Sequence, residues 1–264
     1  MDTSFHGRPL PEPLVDFQSP EGRRLLQEAL ADGTAEAFFP LVSHLHTQAD
    51  PAWCGLGTLV TTLNALQIDP GRVWKGPWRF FGEELLVCCK SLELATAEGL
   101  SLAEVGCLAA CNGAAVEVSL ASEHDLAAFR RDLLASVRAP HGPFLVANYG
   151  RGVLGQTGDG HFSPLAAWHA ASDQVLVLDV ARFKYPPHWV PVALLYEAMC
   201  TRDSQTVPAS PRDSGTPPAE PRTRGWLTLG RRTEPLHGPP PGAEALMDRL
   251  QAVGGAVCSP RQGR

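Results

Sequence analysis

The sequence predicts an α+β domain in which helices come first and strands follow. Between Ser19 and Val137 apolar residues recur at helical spacing behind recognisable N-caps. After Pro140 the pattern changes to short apolar or β-branched runs separated by Gly, Ser and Asp, which is typical of strands joined by turns. At 264 residues the chain is long enough to bury a large core without disulfide staples. We therefore expect a helical N-terminal half packed on an antiparallel sheet formed by the C-terminal half.

Cap residues and apolar periodicity predict four helices in the first half. Leucine, alanine and valine recur three and four residues apart in each segment, so each presents one apolar face. The second helix places Cys54 at its N-terminal end. The expected helices cover residues 20–33, 54–67, 101–111 and 122–137, with Ser19, Ser101 and Ser122 as N-caps and Glu104 completing a capping box.

In the second half of the chain, the sequence predicts strands and one Pro-rich insertion between them. Strands are expected at 144–149, 164–170, 174–180 and 226–229. Residues 203–222 contain five prolines and one large aliphatic residue, Val207, so we expect a disordered insertion. We predict one catalytic domain over residues 1–230 and a short Pro/Gly-rich tail, with a short helix at 244–253, over 231–264.

Charge and hydropathy exclude several classes of protein. The 22 Lys+Arg against 28 Asp+Glu, without a basic run, argue against nucleic acid and anionic membrane surfaces as partners. No stretch approaches 18 consecutive apolar residues, and the N-terminus has neither a basic start nor an apolar stretch. A cytoplasmic protein is expected, in which the seven cysteines are thiols for catalysis, metal binding or packing.

One cysteine has the surroundings of a nucleophile. Cys54 begins a predicted helix, where free N–H groups and the helix dipole favour a thiolate. Gly55 would let a substrate approach the backbone, and the amide of Gln48 is a candidate oxyanion donor beside the Cys54 N–H.

A base and its partner follow downstream. His161 stands at the start of a predicted strand after Gly158 and Gly160, and Asp179 closes another strand that is expected to pair with it. The carboxylate would orient the imidazole, as in a catalytic triad. Taken singly, a Cys or His is more often a packing residue, but the order Gln, Cys, His, Asp is that of papain-like enzymes.

Four long strings in the sequence resemble phytochelatin synthases, over about residues 10–229. They are QADPAWCGL at 48–56, LQIDPGRVWKGPWR at 66–79, GQTGDGHFSP at 155–164 and LDVARFKYPPHWV at 178–190. The resemblance implies a papain-like glutathione γ-glutamylcysteinyltransferase. By this resemblance, the thiol of Cys54 would take γ-glutamylcysteine from glutathione as a thioester. It would then pass this unit to a second glutathione or to a growing phytochelatin chain.

The resemblance also assigns substrate residues. Asn148 and Gly160 fall where family members bind the γ-glutamylcysteinyl group, and Arg224 resembles an arginine that pairs with a substrate carboxylate. Arg182 matches an arginine whose role is either substrate binding or structural. No cofactor is implied for acylation. A heavy metal such as cadmium, zinc or copper would activate as its glutathione thiolate, and an oligomer is compatible with the sequence.

Four further cysteines form a candidate metal group. Cys88 and Cys89 are adjacent, and Cys107 and Cys111 lie on one helix face. Soft thiolates suit zinc, cadmium and copper(I), but the spacing is not that of an ordinary zinc site, so buried packing thiols are the alternative.

Two alternatives to the transferase stay open at this point. One is a glutathione hydrolase, in which water accepts the acyl group, as in short bacterial relatives. The other is a metal-thiolate binding protein without catalysis. Two departures from the family bear on the choice: Trp53 stands where many relatives have Tyr, and the Cys-rich C-terminal domain of plant enzymes does not follow the resembling segment.

Overall fold

A computed structural model describes residues 7–202 and 224–232 of the chain. Within these ranges helices predominate before Val137 and strands after it, which confirms the α+β prediction. No helix among the described residues is long and apolar enough to cross a membrane. The helices are α1 (Pro20–Ala31), α2 (Phe38–Ser43), α3 (Cys54–Ala65), α4 (Leu92–Glu98), α5 (Leu102–Cys111), α6 (Leu126–Val137) and α7 (Val192–Met199).

The strands form one seven-stranded antiparallel sheet in the order β1-β6-β5-β4-β3-β7-β2. The interior strand β3 is buried along its whole length. The strands are β1 (Val15–Asp16), β2 (Ala114–Leu120), β3 (Phe144–Gly150), β4 (Gly160–His169), β5 (Gln174–Val177), β6 (His188–Pro191) and β7 (Gly225–Arg231).

Helices cover both faces of this sheet, because alternate residues of its strands enter two separate cores. Phe144 and Val146 of β3 point to the core shared with α1, α3 and α5. Leu145 and Ala147 point to the core shared with α6 and α7. The period of two along the strand therefore decides which helices each residue meets.

Helix α3 lies in the middle of the first core. All of its residues after Cys54 are buried, including three threonines. The Thr61 and Thr62 hydroxyls donate to the carbonyls four residues earlier, at 2.9 and 2.8 Å. The Thr58 hydroxyl instead donates to the Phe162 carbonyl of β4, at 3.1 Å. The helix is thus fixed directly to the strand that carries His161.

Most predicted elements are confirmed, with corrections at their ends. Ser19 caps α1 and Ser101 with Glu104 forms the capping box of α5, as expected. Ser122 does not cap α6, since the Asp125 carboxylate accepts from the Ala128 N–H. The predicted strand 174–180 ends at Val177.

Several further elements have no clear signal in the sequence. Helices α2, α4 and α7 and strands β1, β2 and β6 were not predicted. β2 lies at the sheet edge with a half-exposed side-chain pattern, and β6 has only four residues and ends at Pro191. The predicted insertion at 203–222 and the tail helix at 244–253 lie outside the described residues.

Strand β7 depends on a glycine, so we predict that Gly225→Ala destabilises the protein. A Cβ at this position would lie 1.9 Å from the Ser119 carbonyl oxygen, and backbone must shift to admit it. We expect the free energy of unfolding in urea to fall by about 2 kcal/mol or more. Gly152→Ala is the matched control, because nothing lies within 4 Å of its added methyl group. Equal stability of the two variants would contradict the assignment.

Candidate active site

Cys54 is the first residue of α3 and faces a cleft of about 340 Å³. The residue as a whole is partly exposed. Gly55 is also closely packed: a Cβ there would lie 2.9 Å from Val105 Cγ2 and 3.0 Å from Leu100 Cδ1. The glycine therefore lets α3 approach α5 and Leu100, and its role in admitting a substrate stays a prediction.

His161, on β4, lines the same cleft as Cys54. The imidazole is almost fully buried, and its Nε2 lies 2.8 Å from Asp179 Oδ1. Tyr149, its partner across the β3–β4 ladder, packs against it edge-on with ring centroids 5.7 Å apart. The contact with Asp179 occupies Nε2, so Nδ1 is the nitrogen that remains for the thiol side of the ring.

Asp179 follows β5 and is completely buried. Besides His161, the Ala181 N–H donates to its Oδ1 at 2.9 Å. Arg151 Nη2 donates to both oxygens, at 3.0 and 2.8 Å. The carboxylate is held from three directions, which defines the orientation of the imidazole bonded to it.

Arg151 is a further candidate site residue, which no motif in the sequence indicates. It follows β3 and is buried. Besides Asp179, its guanidinium contacts a second group of buried polar side chains. Its Nη1 donates to Gln156 Oε1 at 2.5 Å, and Gln156 Nε2 lies 3.0 Å from His188 Nε2. The His188 Nδ1 lies 2.8 Å from the Pro186 carbonyl, so Nδ1 carries the proton and Nε2 accepts from the amide. Gln156 and His188 lie within two of the family-like strings, but their contact joins residues 32 apart, and no periodicity in the sequence indicates it.

Burial sets the protonation of the nucleophile and base. It raises the pKa of Cys54, although the N–H groups of Phe162 and Gly55 and the charge of Arg151 oppose the rise. Burial, with Arg151, lowers the pKa of His161 to about 4 against the attraction of Asp179. Burial alone would raise the pKa of Asp179, but His161 and Arg151 outweigh it and keep the pKa low. At neutral pH the thiol and the imidazole are therefore uncharged and the carboxylate is ionised.

The predicted oxyanion donor, Gln48, is not among the residues that line the cleft. Gln48 is buried, its backbone N–H donates to the Val180 carbonyl at 3.0 Å, and its side-chain Nε2 donates to the Asp50 carbonyl at 2.8 Å. An amide nitrogen carries two hydrogens, so the Asp50 contact uses only one of them. The structure thus holds the Gln48 amide in one orientation on the segment that leads to Cys54.

Two of the four predicted substrate residues line the cleft. They are Asn148, opposite Phe162 in the β3–β4 register, and Gly160, the first residue of β4. A Cβ at Gly160 would lie 3.2 Å from Arg224 Nε and Nη2, so a larger residue there would meet a buried guanidinium.

The other two substrate candidates are not among the cleft-lining residues. Arg224 is buried behind Gly160, where its Nη2 donates to Asp159 Oδ1 at 2.9 Å and its Nη1 to the Arg202 carbonyl at 2.7 Å. Arg182 is exposed, and its Nη1 lies 3.4 Å from Thr47 Oγ1. Contact of either arginine with substrate stays a prediction.

Charged residues of both signs line the cleft. Glu98 and Asp159 bring carboxylates and Arg151 and Lys184 bring cations. Burial and the nearby Arg151 lower the pKa of Lys184. A Cβ at Gly158 would lie 3.0 Å from Lys184 Nζ, which shows how closely this ammonium approaches the loop before His161. Lys184 was not singled out in the sequence analysis, because one lysine carries no spacing signal.

The structure brings the four predicted metal cysteines together. The sulfur atoms of Cys88, Cys89 and Cys111 all lie within 4.8 Å of one another. Cys107 Sγ is 2.7 Å from Cys89 Sγ. Cys89 takes part in a disulfide bond, and its disulfide partner is none of Cys88, Cys107 and Cys111. This disulfide corrects the expectation that all seven cysteines are thiols. The tertiary structure therefore forms a sulfur cluster from the segment before α4 and one face of α5.

Comparison with known proteins gives one consistent family. A sequence profile described as Phytochelatin synthase matches residues 5–210. Glutathione gamma-glutamylcysteinyltransferase 3 of Lotus japonicus is 52% identical over 203 residues, which are 76% of this chain and 42% of that protein. Glutathione gamma-glutamylcysteinyltransferase 1 of Arabidopsis thaliana is 49% identical over 204 residues, 77% of this chain and 42% of that protein. The Schizosaccharomyces pombe protein of the same name is 42% identical over 196 residues, 74% of this chain and 47% of that protein. The chain spans less than half the length of these relatives.

The neutral thiol and imidazole predict how alkylation of Cys54 depends on pH. We expect the rate at which iodoacetamide alkylates Cys54 to rise with pH up to and beyond the ordinary thiol pKa of ~8.5. Burial raises the Cys54 pKa and keeps His161 unprotonated, so the reactive thiolate forms only at alkaline pH. Mass spectrometry of the Cys54 peptide follows this site separately from the other cysteines. A flat rate from acid to neutral pH would indicate a preformed thiolate–imidazolium pair and contradict the assignment.

Proposed function

Because the chain belongs to the phytochelatin synthase family, we propose that it transfers γ-glutamylcysteine from glutathione to a second glutathione or a growing phytochelatin. The observation that carries the proposal is the cleft shared by Cys54 and His161, with the imidazole anchored on a buried carboxylate. Its charges of both signs suit glutathione, which carries two carboxylates and one ammonium group. Phytochelatins are thiol-rich peptides, so heavy-metal detoxification in the cytoplasm is the role that we infer.

In the first half-reaction Cys54 Sγ attacks the carbonyl carbon of the Cys–Gly peptide bond. His161 accepts the thiol proton as general base, and Asp179 stabilises the imidazolium that forms. The Cys54 N–H and the Gln48 amide are proposed to stabilise the developing oxyanion. His161 then returns the proton to the glycine nitrogen as the C–N bond breaks. Glycine leaves, and γ-glutamylcysteine stays on Cys54 as a thioester.

In the second half-reaction the α-amino nitrogen of the acceptor attacks the thioester carbonyl. His161 takes the proton that this nitrogen loses, the C–S bond breaks, and the thiol of Cys54 is regenerated. Each turnover therefore joins one γ-glutamylcysteine unit to the acceptor and releases one glycine. Water as acceptor gives γ-glutamylcysteine instead, from the same thioester. Asn148 and Gly160 at the cleft wall are proposed to hold the acyl group, with Arg224 and Arg182 as further candidates.

Turnover of glutathione tests this function. We expect oligomers of γ-glutamylcysteine by mass spectrometry, in larger amount when cadmium is added to form metal–glutathione thiolates. Cys54→Ser should lower the rate by about 10⁴-fold or more, because the nucleophile is lost. Cys200→Ser is the matched control, since that exposed cysteine lies outside the cleft. Release of γ-glutamylcysteine alone would assign a hydrolase, and no glycine release would refute both activities.

The sulfur cluster supports a second, separate proposal about metal. The sulfur atoms of Cys88, Cys89 and Cys111 lie within 4.8 Å of one another, and Cys107 Sγ lies 2.7 Å from Cys89 Sγ. Such soft ligands fit cadmium, zinc or copper(I). The cleft described above does not include any of these cysteines. We therefore propose that the reduced cluster binds a soft metal ion, whereas acylation of Cys54 needs none.

Cadmium titration of the reduced protein tests the cluster. We expect one equivalent of cadmium to give an ultraviolet sulfur-to-metal absorption band, and a Cys88→Ser, Cys111→Ser double variant to lose it. Cys200→Ser should keep the band, because this cysteine is not part of the cluster. A band that survives in the double variant would place the metal elsewhere. No band at all in the parent protein would refute metal binding by the four cysteines.

A further inference from the structure

Glu83 is a buried carboxylate for which the proposed chemistry has no use. It begins a short 3-10 helix, Glu83–Leu85, and is 4% exposed. A carboxylate in such a place is costly unless its oxygens are bonded. Both oxygens lie within reach of one backbone donor, the Ala49 N–H, at 3.3 and 3.2 Å. The charge is therefore directed at the residue that follows Gln48.

This contact acts on the peptide between Gln48 and Ala49. A peptide unit is planar, so a bond to the Ala49 N–H fixes the plane in which the Gln48 carbonyl carbon and Cα lie. On its other side, the Gln48 N–H donates to the Val180 carbonyl at 3.0 Å. The backbone on both sides of the Gln48 Cα is thus held, on the N-terminal side by Val180 and on the C-terminal side by Glu83.

Helix α3 in turn fixes Glu83. Asn64, near the end of the helix, exchanges two hydrogen bonds with the backbone of Phe81, each at 3.0 Å. Gly57, three residues after the nucleophile, has no side chain between the helix and this segment. A Cβ there would lie 3.1 Å from Gln48 Cβ and 3.3 Å from Glu83 Oε1. The helix that presents Cys54 therefore sets the place of both Gln48 and Glu83.

A second group faces Glu83 from the chain before Gln48. His46 Nε2 lies 3.4 Å from Glu83 Oε1, and the His46 ring is about one-third exposed, with 35% side-chain accessibility. A simple ion pair with His46 would give Glu83 a structural role only. Glu83 also accepts from the Ala49 N–H, and this contact does not involve His46. Because Ala49 follows Gln48, this second contact gives Glu83 a way to place Gln48 in addition to any structural role.

We propose that Glu83 is a positioning residue that holds the Gln48 amide in place as oxyanion donor beside Cys54. The inference rests on the proposed function, since it requires acylation of Cys54 through a tetrahedral oxyanion. Glu83 does not touch the reacting atoms and acts through the Gln48–Ala49 peptide. Its removal should therefore impair acylation and leave the nucleophilicity of the thiol unchanged.

The test compares two reactions of the same thiol. Glycine release from glutathione uses the oxyanion donor, whereas alkylation of Cys54 by iodoacetamide forms no oxyanion. We expect Gln48→Ala to slow glycine release by ~10²-fold to 10³-fold and Glu83→Met by at least about tenfold, both with unchanged alkylation rates. Glu83→Gln should recover most of the activity, because its Oε1 still accepts from Ala49. Glu84→Ala is the matched control, since Glu84 is exposed and bonds to Trp74 Nε1.

The outcomes separate this inference from the proposed function. No glycine release by the parent protein would refute the function itself. Normal release by Glu83→Met, or an equal fall of alkylation and acylation, would overturn the positioning role while the function stands. Additive losses in the Glu83→Met, Gln48→Ala double variant would also overturn it, because residues that act through one donor are not additive. If Glu83→Met does not fold, Gly57→Ala displaces the same two side chains and should show the same separation of the two rates.

Discussion

The ion pair between Arg151 and Asp179 is the interaction on which the site depends. Both side chains are buried, so each charge needs the other to offset its loss of water. β3, β4 and β5 are antiparallel neighbours in the interior of the sheet. The end of β3, the start of β4 and the end of β5 therefore lie on the same side of the sheet, where these strands terminate. Arg151, His161 and Asp179 occupy those three places. Sheet topology thus brings a cation, a base and a carboxylate into contact.

Helix α3 supplies the other half of the site. It is buried on all sides, and the hydroxyl of Thr58 bonds it to β4 directly beside His161. Glycines at 55 and 57 let the helix approach α5 on one side and the Gln48 segment on the other. Such close packing leaves little freedom for Cys54, which is what nucleophilic attack on a carbonyl held in a narrow cleft requires.

The electrostatic balance favours a base-assisted thiol over a resting thiolate. The helix N-terminus favours the thiolate, as expected from the sequence, but burial has the larger effect and raises the Cys54 pKa. Arg151 opposes protonation of His161 and at the same time keeps Asp179 ionised. In the proposed reaction, the charge that stabilises an imidazolium is therefore in place before His161 accepts a proton, which limits reorganisation.

By itself the sequence determined the helix-then-strand order and the caps of α1 and α5, because these depend on local periodicity. Its order of residues and distinctive strings also led to Gln48, Cys54, His161 and Asp179 as candidates for the site. It did not determine Arg151, Gln156 or Glu83, whose partners lie 28, 32 and 34 residues away in the chain. It also left open whether four separated cysteines meet. Only tertiary structure decided these, since long-range contacts between single polar residues have no period or motif in the sequence. Burial, which reversed the expected effect on the Cys54 pKa, is likewise a property of the folded molecule.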